Sequence, residues 1–383
     1  MNIINVLIPS LVLAGNLLAE KLQFEAHVLF TENSGNWGQT GVADIDKDGR
    51  LDFVAGNYGG IYWWRNPGKL SGNWEKHTIT IGSPSDVGGA PMDVDGDGWI
   101  DWVSSGFWFK NTGKPASVPF TKIQCGEQRK DHDVVLADID GDGRPDVLRN
   151  QDNLTQWAKM PPTNQVEGLW KETRIVSGHK GGKLHGAFAP RGWGDLDGDG
   201  DIDVVGVQLW FENVDGKGQQ WRPHEYTTWG KPGIYGWEFR VWVADIDGDR
   251  NLDIVVSEGD SKDGRAAWIE NKDGKGGQWE THELPLGDVR GDLHSVGALD
   301  FDGDGDLDIF IGQNGPGTNN AWLVFENMDG KGRFERREIY RGYGAHETIF
   351  ADFDGDGDLD ILSKCWGNPT TFVLLENKLA PRK

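Results

Sequence analysis

Short apolar runs alternate along the chain with polar, glycine-rich segments, and the alternation recurs. The clearest repeat is a nine-residue pattern, D-x-D-x-D-G-x-x-D. It begins at Asp44, Asp93, Asp138, Asp195, Asp245, Asp300 and Asp352, at intervals of 45 to 57 residues. An apolar run follows each copy, as in Asp52-Phe53-Val54, Asp203-Val204-Val205 and Asp253-Ile254-Val255-Val256. These β-branched and aromatic residues carry no helical period, so they read as strands. A second strand comes next, aromatic and usually ending in Asn: Trp63 to Asn66, Trp108 to Asn111, Trp210 to Asn213, Trp268 to Asn271. A third has the form W-x-x-H, in Trp74 with His77, Trp221 with His224 and Trp279 with His282. Looser copies centre on Phe120, Trp170 and Phe334. With the apolar residues that precede each motif, every repeat of about 50 residues makes a four-stranded antiparallel unit.

Seven motifs are followed by only six outer strands, because the last repeat stops at Glu376-Asn377. The missing strand lies at the other end of the chain, Phe24 to Val28. A strand displaced in this way closes a ring. The expectation is an all-β fold, a seven-bladed β-propeller over residues 20–383, with the N-terminal strand completing the last blade. An open solenoid would need no such strand.

Composition narrows the reading. Glycine occupies 56 of 383 positions, too many for a helical protein when each interior glycine costs about 1 kcal/mol. Hydrophobic residues at 37% and aromatics at 11% exclude a disordered acidic chain. The net charge of -23 argues against a nucleic-acid partner. However, 28 of the 61 acidic residues are motif aspartates. The exclusion therefore rests on the lack of a basic cluster on the candidate ligand face. Residues 2–19 form a nearly uncharged Ile, Leu and Val run, interrupted by Pro9 and Gly15 and ending at Leu18-Ala19. They read as a signal peptide, residues 1–19. The mature protein is then expected outside the cell or in the periplasm, without a membrane span. Cys125 and Cys365 fall in distant repeats and are expected to be free thiols.

The motif puts oxygen ligands at alternate positions of a tight loop, with glycine at the turn, which suits calcium. Without His or Cys it does not suit zinc. The carboxylates are Asp44, Asp46, Asp48 and Asp52; Asp93, Asp95, Asp97 and Asp101; Asp138, Asp140, Asp142 and Asp146; Asp195, Asp197, Asp199 and Asp203. The last three copies give Asp245, Asp247, Asp249 and Asp253; Asp300, Asp302, Asp304 and Asp308; Asp352, Asp354, Asp356 and Asp360. Arg250 replaces the glycine in the fifth copy, so incomplete filling is expected there. The pattern resembles the FG-GAP or VCBS repeat of integrin-type and secreted seven-bladed propellers. That resemblance implies calcium on the matching aspartates, in a structural role, in up to seven loops. A further divalent metal at the active site stays open.

Loops that join strands one to two carry the motifs and share one face; residues leading into the inner strands share the other. On that second face His132, His294 and His346 each stand six residues before a motif. They are the first candidates for catalysis, followed by Arg191, Arg240 and Tyr343. Asp133, His185, Glu238, Arg149, Lys364 and Trp366 are candidate substrate-binding residues. His27, His77, His224 and His282 lie in outer strands and read as packing residues. A propeller lectin repeats its pocket from blade to blade, whereas this face is irregular, which suits one catalytic site. The chain is also similar to the propeller domain of aldos-2-ulose dehydratase and, in architecture, to propeller polysaccharide lyases. Those resemblances are of fold; with the acidic and aromatic surfaces and the expected export they fit a carbohydrate ligand, and the expectation is a monomer acting by β-elimination or dehydration on a sugar or uronic acid. His or Tyr would remove a proton, and Arg, Lys or a metal would stabilise the anion. The alternatives are a non-catalytic carbohydrate-binding or adhesion propeller and, third, a hydrolase with Glu238 and Asp133 as paired carboxylates.

Overall fold

Apolar runs after the motifs become strands with no solvent-facing residue, as in Asp52–Asn57 and Asp253–Glu258. Continuous burial of this kind is expected where a sheet is covered on both faces by neighbouring sheets. A computed structural model describes residues 22–177 and 181–379; the expected signal peptide lies outside them. The chain forms seven sheets around a ring, each built on a four-stranded antiparallel core. The inner strands are Gln39–Ala43, Ala90–Met92, Asp133–Ala137, Trp193–Gly194, Trp237–Ala244, Asp292–Leu299 and His346–Ala351. Phe24–Glu32 pairs antiparallel with Thr370–Asn377, from Phe24 opposite Asn377 to Glu32 opposite Thr370. The N-terminal strand thus closes the seventh blade, as the strand count requires. No helix among the described residues is long and apolar enough to cross a membrane.

Neighbouring blades pack through shared cores. Trp37, Phe53 and Trp64 of the first blade share a cluster with Phe353, Leu362 and Phe372 of the seventh. The outer-strand histidines stack on second-strand tryptophans, with ring centroids 4.5 Å apart for His77 on Trp63 and 4.4 Å for His224 on Trp210. His282 on Trp268 repeats the contact at 4.5 Å.

The recurring Asn at the end of each second strand staples blade to blade. Asn111, Asn213, Asn271 and Asn327 donate to the carbonyls of Ile45, Ile139, Leu196 and Ile246 in a preceding blade's motif. Asn66 and Asn377 reach Phe353 and Phe301 in the same way. The third blade has Met160 at this position, and Arg144 of its motif caps the Val94 carbonyl instead, at 3.1 Å. Buried carbonyls are costly to orphan, which explains why the replacement is another donor.

One departure matters for function. In the connection entering the fourth blade, Leu184–Gly186 and Pro190–Arg191 pair in parallel with Trp237–Ala244 of the fifth. They carry His185 and Arg191 against Glu238 and the inner strand. Cys125 and Cys365 are both free and buried.

Candidate functional site

The starts of the inner strands meet on the face opposite the motifs. Asp133, Asp292, His294 and His346 open their strands, while Glu238 and Arg240 lie near the start of Trp237–Ala244. Pairing shifts register between Asp292 and Ser295 and between His346 and Ile349. Such bulges insert a residue and re-aim side chains. Glu347, inside the second bulge, takes a left-handed backbone with φ 53°, uncommon for a residue with a Cβ. The outcome is a row of rings across the funnel. Centroid spacings are 5.5 Å from Tyr235 to His185, 4.4 Å from His185 to His132 and 6.3 Å from His132 to His294. They continue at 4.1 Å to His346 and 4.8 Å to Trp366. The three histidines of common register therefore do converge, and His185 joins them.

Glu238 lies fully buried among these rings. Its Oε1 is 3.2 Å from His294 Nε2, 3.8 Å from His132 Nε2 and 3.8 Å from Arg240. Among the described residues neither Glu238 oxygen accepts a hydrogen bond of normal geometry beyond a carboxyl–carboxyl contact with Asp260, and the Nδ1 atoms of His294 and His346 also lack partners. Burial, with Asp260 and Asp292 nearby, pushes the Glu238 pKa well above the usual carboxylate range against the pull of Arg240. Asp133 behaves oppositely. It meets His132 Nδ1 at 2.9 Å and Arg240 at 3.2 Å, and accepts the N–H groups of Ala187 and Phe188. These contacts outweigh its burial and hold its carboxyl well below the ordinary range. Burial opposes a charge on His132, but Asp133 prevails and raises its pKa. Burial and the Arg240 charge lower His294 and His346, and burial with His132 brings His185 down to about 4. These three are neutral near pH 7.

Four predicted site residues take other roles. Arg240 is 1% exposed and held by Asp133 and by Glu347 at 2.8 Å, so it is not free for a substrate carboxylate. Arg149 pairs with Asp131 and Glu172 inside the third blade. Lys364 is fully buried, and its Nζ bonds the carbonyls of Gly38 and His346 and the hydroxyl of Thr40. It thereby ties the seventh blade to the first, and burial draws its pKa down to about 7. Tyr343 packs against the core cluster that contains Trp322 and Phe310, and its carbonyl accepts the Trp322 indole.

Arg191 does reach open space. A cavity of about 400 Å³ in the channel is lined by Arg191, Trp193 and Trp242 and continues to His132, Asp133 and Glu347. The guanidinium lies 5.2 Å from the Trp193 ring centroid and 5.9 Å from that of Trp242. Among the described residues the recorded side-chain contacts of Arg191 are these two rings, with no carboxylate. Trp193, Trp242 and Asp260 were not foreseen. Strand alternation just before each motif would have turned the tryptophans inward. Asp260 enters through a left-handed turn, φ 51°, that sequence pattern does not mark.

The motif loops repeat closely. The first aspartate accepts the N–H at position six throughout, as for Asp44 from Gly49 at 3.0 Å and Asp352 from Gly357 at 3.1 Å. Arg250 keeps that bond to Asp245, at 2.9 Å, by adopting φ 78°. The fifth loop therefore has the same shape as the others. Each ninth aspartate is buried and accepts two backbone N–H groups; Asp52 takes those of Ile45 and Asn66. One lone pair per oxygen then remains for a cation, except on Asp253 Oδ2, which also accepts the Trp268 indole N–H. The residue before the recurring Asn, however, divides the loops. In the first three copies Arg65, Lys110 and Lys159 place a cation on Asp46, Asp95 and Asp140. In the last four the same position is Glu212, Glu270, Glu326 or Glu376. Burial and neighbouring carboxylates raise the pKa values of Asp197, Asp247, Asp302 and Asp354 there. Donor chemistry thus fits a calcium ion in copies four to seven. In copies one to three a protein cation already sits where the ion would.

Comparison with known proteins agrees with this architecture. No curated protein sequence matches the chain. A lectin from Agrocybe aegerita, studied for recognition of non-reducing terminal N-acetylglucosamine, superposes with TM-score 0.54 at 19% identity, over 80% of this chain and 81% of that one. The protein BBS1N, solved in complex with ARL6DN, gives TM-score 0.52 at 9% identity, over 94% and 100%. A Bacillus licheniformis rhamnogalacturonan lyase gives TM-score 0.47 at 14% identity, over 92% and 75%. The FG-GAP-like repeat matches residues 44–104, 93–148, 245–311 and 300–363. With more than half of its length in such repeats, the chain belongs to the FG-GAP-like repeat family.

Proposed function

We propose that this propeller acts on an acidic carbohydrate in its central funnel, by β-elimination or dehydration. The observation that carries the reading is the asymmetry of the funnel. One histidine and carboxylate cluster is assembled from unlike residues of several blades, beside a cavity whose arginine has no carboxylate partner among the described residues. A binding propeller that used each blade alike would repeat its polar set. Arg191 offers two parallel N–H donors to a sugar carboxylate, and Trp193 and Trp242 offer flat apolar faces. His132 lines the cavity, and the neutral imidazoles of His185 and His294 stand behind it in the ring row, able to take up the proton that elimination releases. The loops of copies four to seven hold calcium and stiffen the ring. The Agrocybe lectin, a likeness of fold alone, recognises a sugar, non-reducing terminal N-acetylglucosamine.

The test is incubation with uronic-acid oligosaccharides and keto-sugars, followed by mass spectrometry and ultraviolet absorbance of unsaturated products. Wild-type protein should generate such a product. Arg191→Ala should raise KM for acidic substrates by tenfold or more and leave the melting temperature unchanged. Binding without product would favour a lectin, and neither binding nor product would reject the proposal.

A further inference from the structure

We propose that His132, Glu238 and His294 form a site for one divalent cation of the zinc class, with its remaining position open to the funnel. Three observations on these residues support it.

Geometry is the first. Four-coordinate zinc with nitrogen and oxygen ligands has bond lengths near 2.1 Å, so tetrahedral donors stand about 3.4 Å apart. Glu238 Oε1 lies 3.2 Å from His294 Nε2 and 3.8 Å from His132 Nε2. All three donor atoms fall within 4.8 Å of one another, and all three residues are buried.

Orientation is the second. His132 Nδ1 is 2.9 Å from Asp133 Oδ1. Asp133 is itself fixed by Arg240 and by two backbone N–H groups. A carboxylate on one ring nitrogen sets the tautomer and presents the other nitrogen's lone pair, as is usual around metal-bound histidine. Here that lone pair faces Glu238.

Satisfaction is the third. A buried carboxylate needs hydrogen bonds or a counter-charge. Among the described residues Glu238 accepts no hydrogen bond of normal geometry, and its side-chain contact with Asp260 is carboxyl to carboxyl and brings no counter-charge. Asp260 and Asp292 are its carboxylate neighbours, while the nearby Arg240 is shared with Asp133 and Glu347. A dication would supply the missing counter-charge. Imidazole nitrogen with one carboxylate selects borderline first-row metals over calcium, which separates this site from the motif loops. A protein that keeps one ligand position open uses its metal as a Lewis acid. His185 and His346 would then flank the metal as proton acceptors.

The site lies in the same funnel as the carbohydrate reading and extends it, but metal binding does not depend on that reading. The experiment uses the full chain, stripped with chelator and returned to excess calcium so that the loops are filled. Zinc is then titrated by calorimetry, and cobalt(II) is added separately to record its visible spectrum. One zinc per chain is expected, with the intense visible bands of four-coordinate cobalt. Glu238→Gln and His294→Gln should each weaken zinc by a hundredfold or more while still melting cooperatively. The wild-type cobalt spectrum stands even if a variant fails to fold. No zinc binding beyond the calcium-filled loops, or zinc affinity untouched by both substitutions, overturns the proposal. Zinc bound without turnover of any glycan would reject the elimination chemistry and leave the metal site standing. Turnover by metal-stripped protein would reject the Lewis-acid role of the metal.

Discussion

Removing calcium should cost this protein the stability of four sites, not seven. The number comes from the residue before the recurring Asn. Arg65, Lys110 and Lys159 already contact loop aspartates in the first three copies, whereas Glu212, Glu270, Glu326 and Glu376, each paired with a cation of its own, bring none to the aspartates of the last four. With a dissociation constant of about 10⁻⁴ M, 1 mM calcium stabilises a site by about 1.4 kcal/mol. Four sites give about 6 kcal/mol and seven about 10 kcal/mol. Unfolding entropy of about 2.1 cal/mol/K per residue over some 360 residues makes these shifts about 8 °C and about 13 °C. The assay is a thermal melt in 1 mM calcium against excess chelator, with bound calcium counted by mass spectrometry. Lys110→Gln serves as the internal control. By freeing Asp95 and Asp97 it should raise the count to five and deepen the loss on chelation. An unchanged melt, or seven ions in the wild type, would refute the reasoning.

Other predictions follow from single contacts. Asn213→Ala leaves the buried carbonyls of Ile139 and Ile202 without their amide donor. It should cost about 3 kcal/mol, or about 4 °C in a melt; a shift below one degree would contradict the stapling role. Arg250→Gly relieves a left-handed backbone at φ 78°. It should raise the midpoint by about 1–2 °C, and a fall would show that the arginine side chain is needed. Burial pushes the Cys125 thiol up to about 12. At pH 8 the thiolate is scarce, so Ellman's reagent should leave native Cys125 unlabelled and react with both cysteines only after unfolding. Rapid labelling of the folded protein would show that the site is open.

Repetition made the fold legible. A motif seen seven times fixes its own strand context, and the absent outer strand after Asn377 pointed to Phe24 for closure. The common register of His132, His294 and His346 was readable for the same reason, since each is measured from an aspartate that the fold places identically. What repetition does not govern stayed hidden. Arg149 and Lys364 looked like funnel cations, but their partners come from other strands and blades and fix them in the wall. Arg191 and His185 owe their positions to two short parallel strands in one irregular connection. The division of the loops depends on a cross-strand contact between second-strand residues and motif aspartates. Its signal, Arg or Lys against Glu before Asn, was present in the sequence but acquires meaning only once the two strands are known to pair.

The central claim is that one asymmetric funnel, not seven similar blades, receives the carbohydrate. A crystal structure with an unreactive acidic oligosaccharide tests it most directly. One sugar per chain is predicted, its carboxylate on Arg191 and its ring against Trp193 or Trp242, beside the histidine row. Sugar bound at equivalent positions of several blades, with the funnel empty, would contradict it.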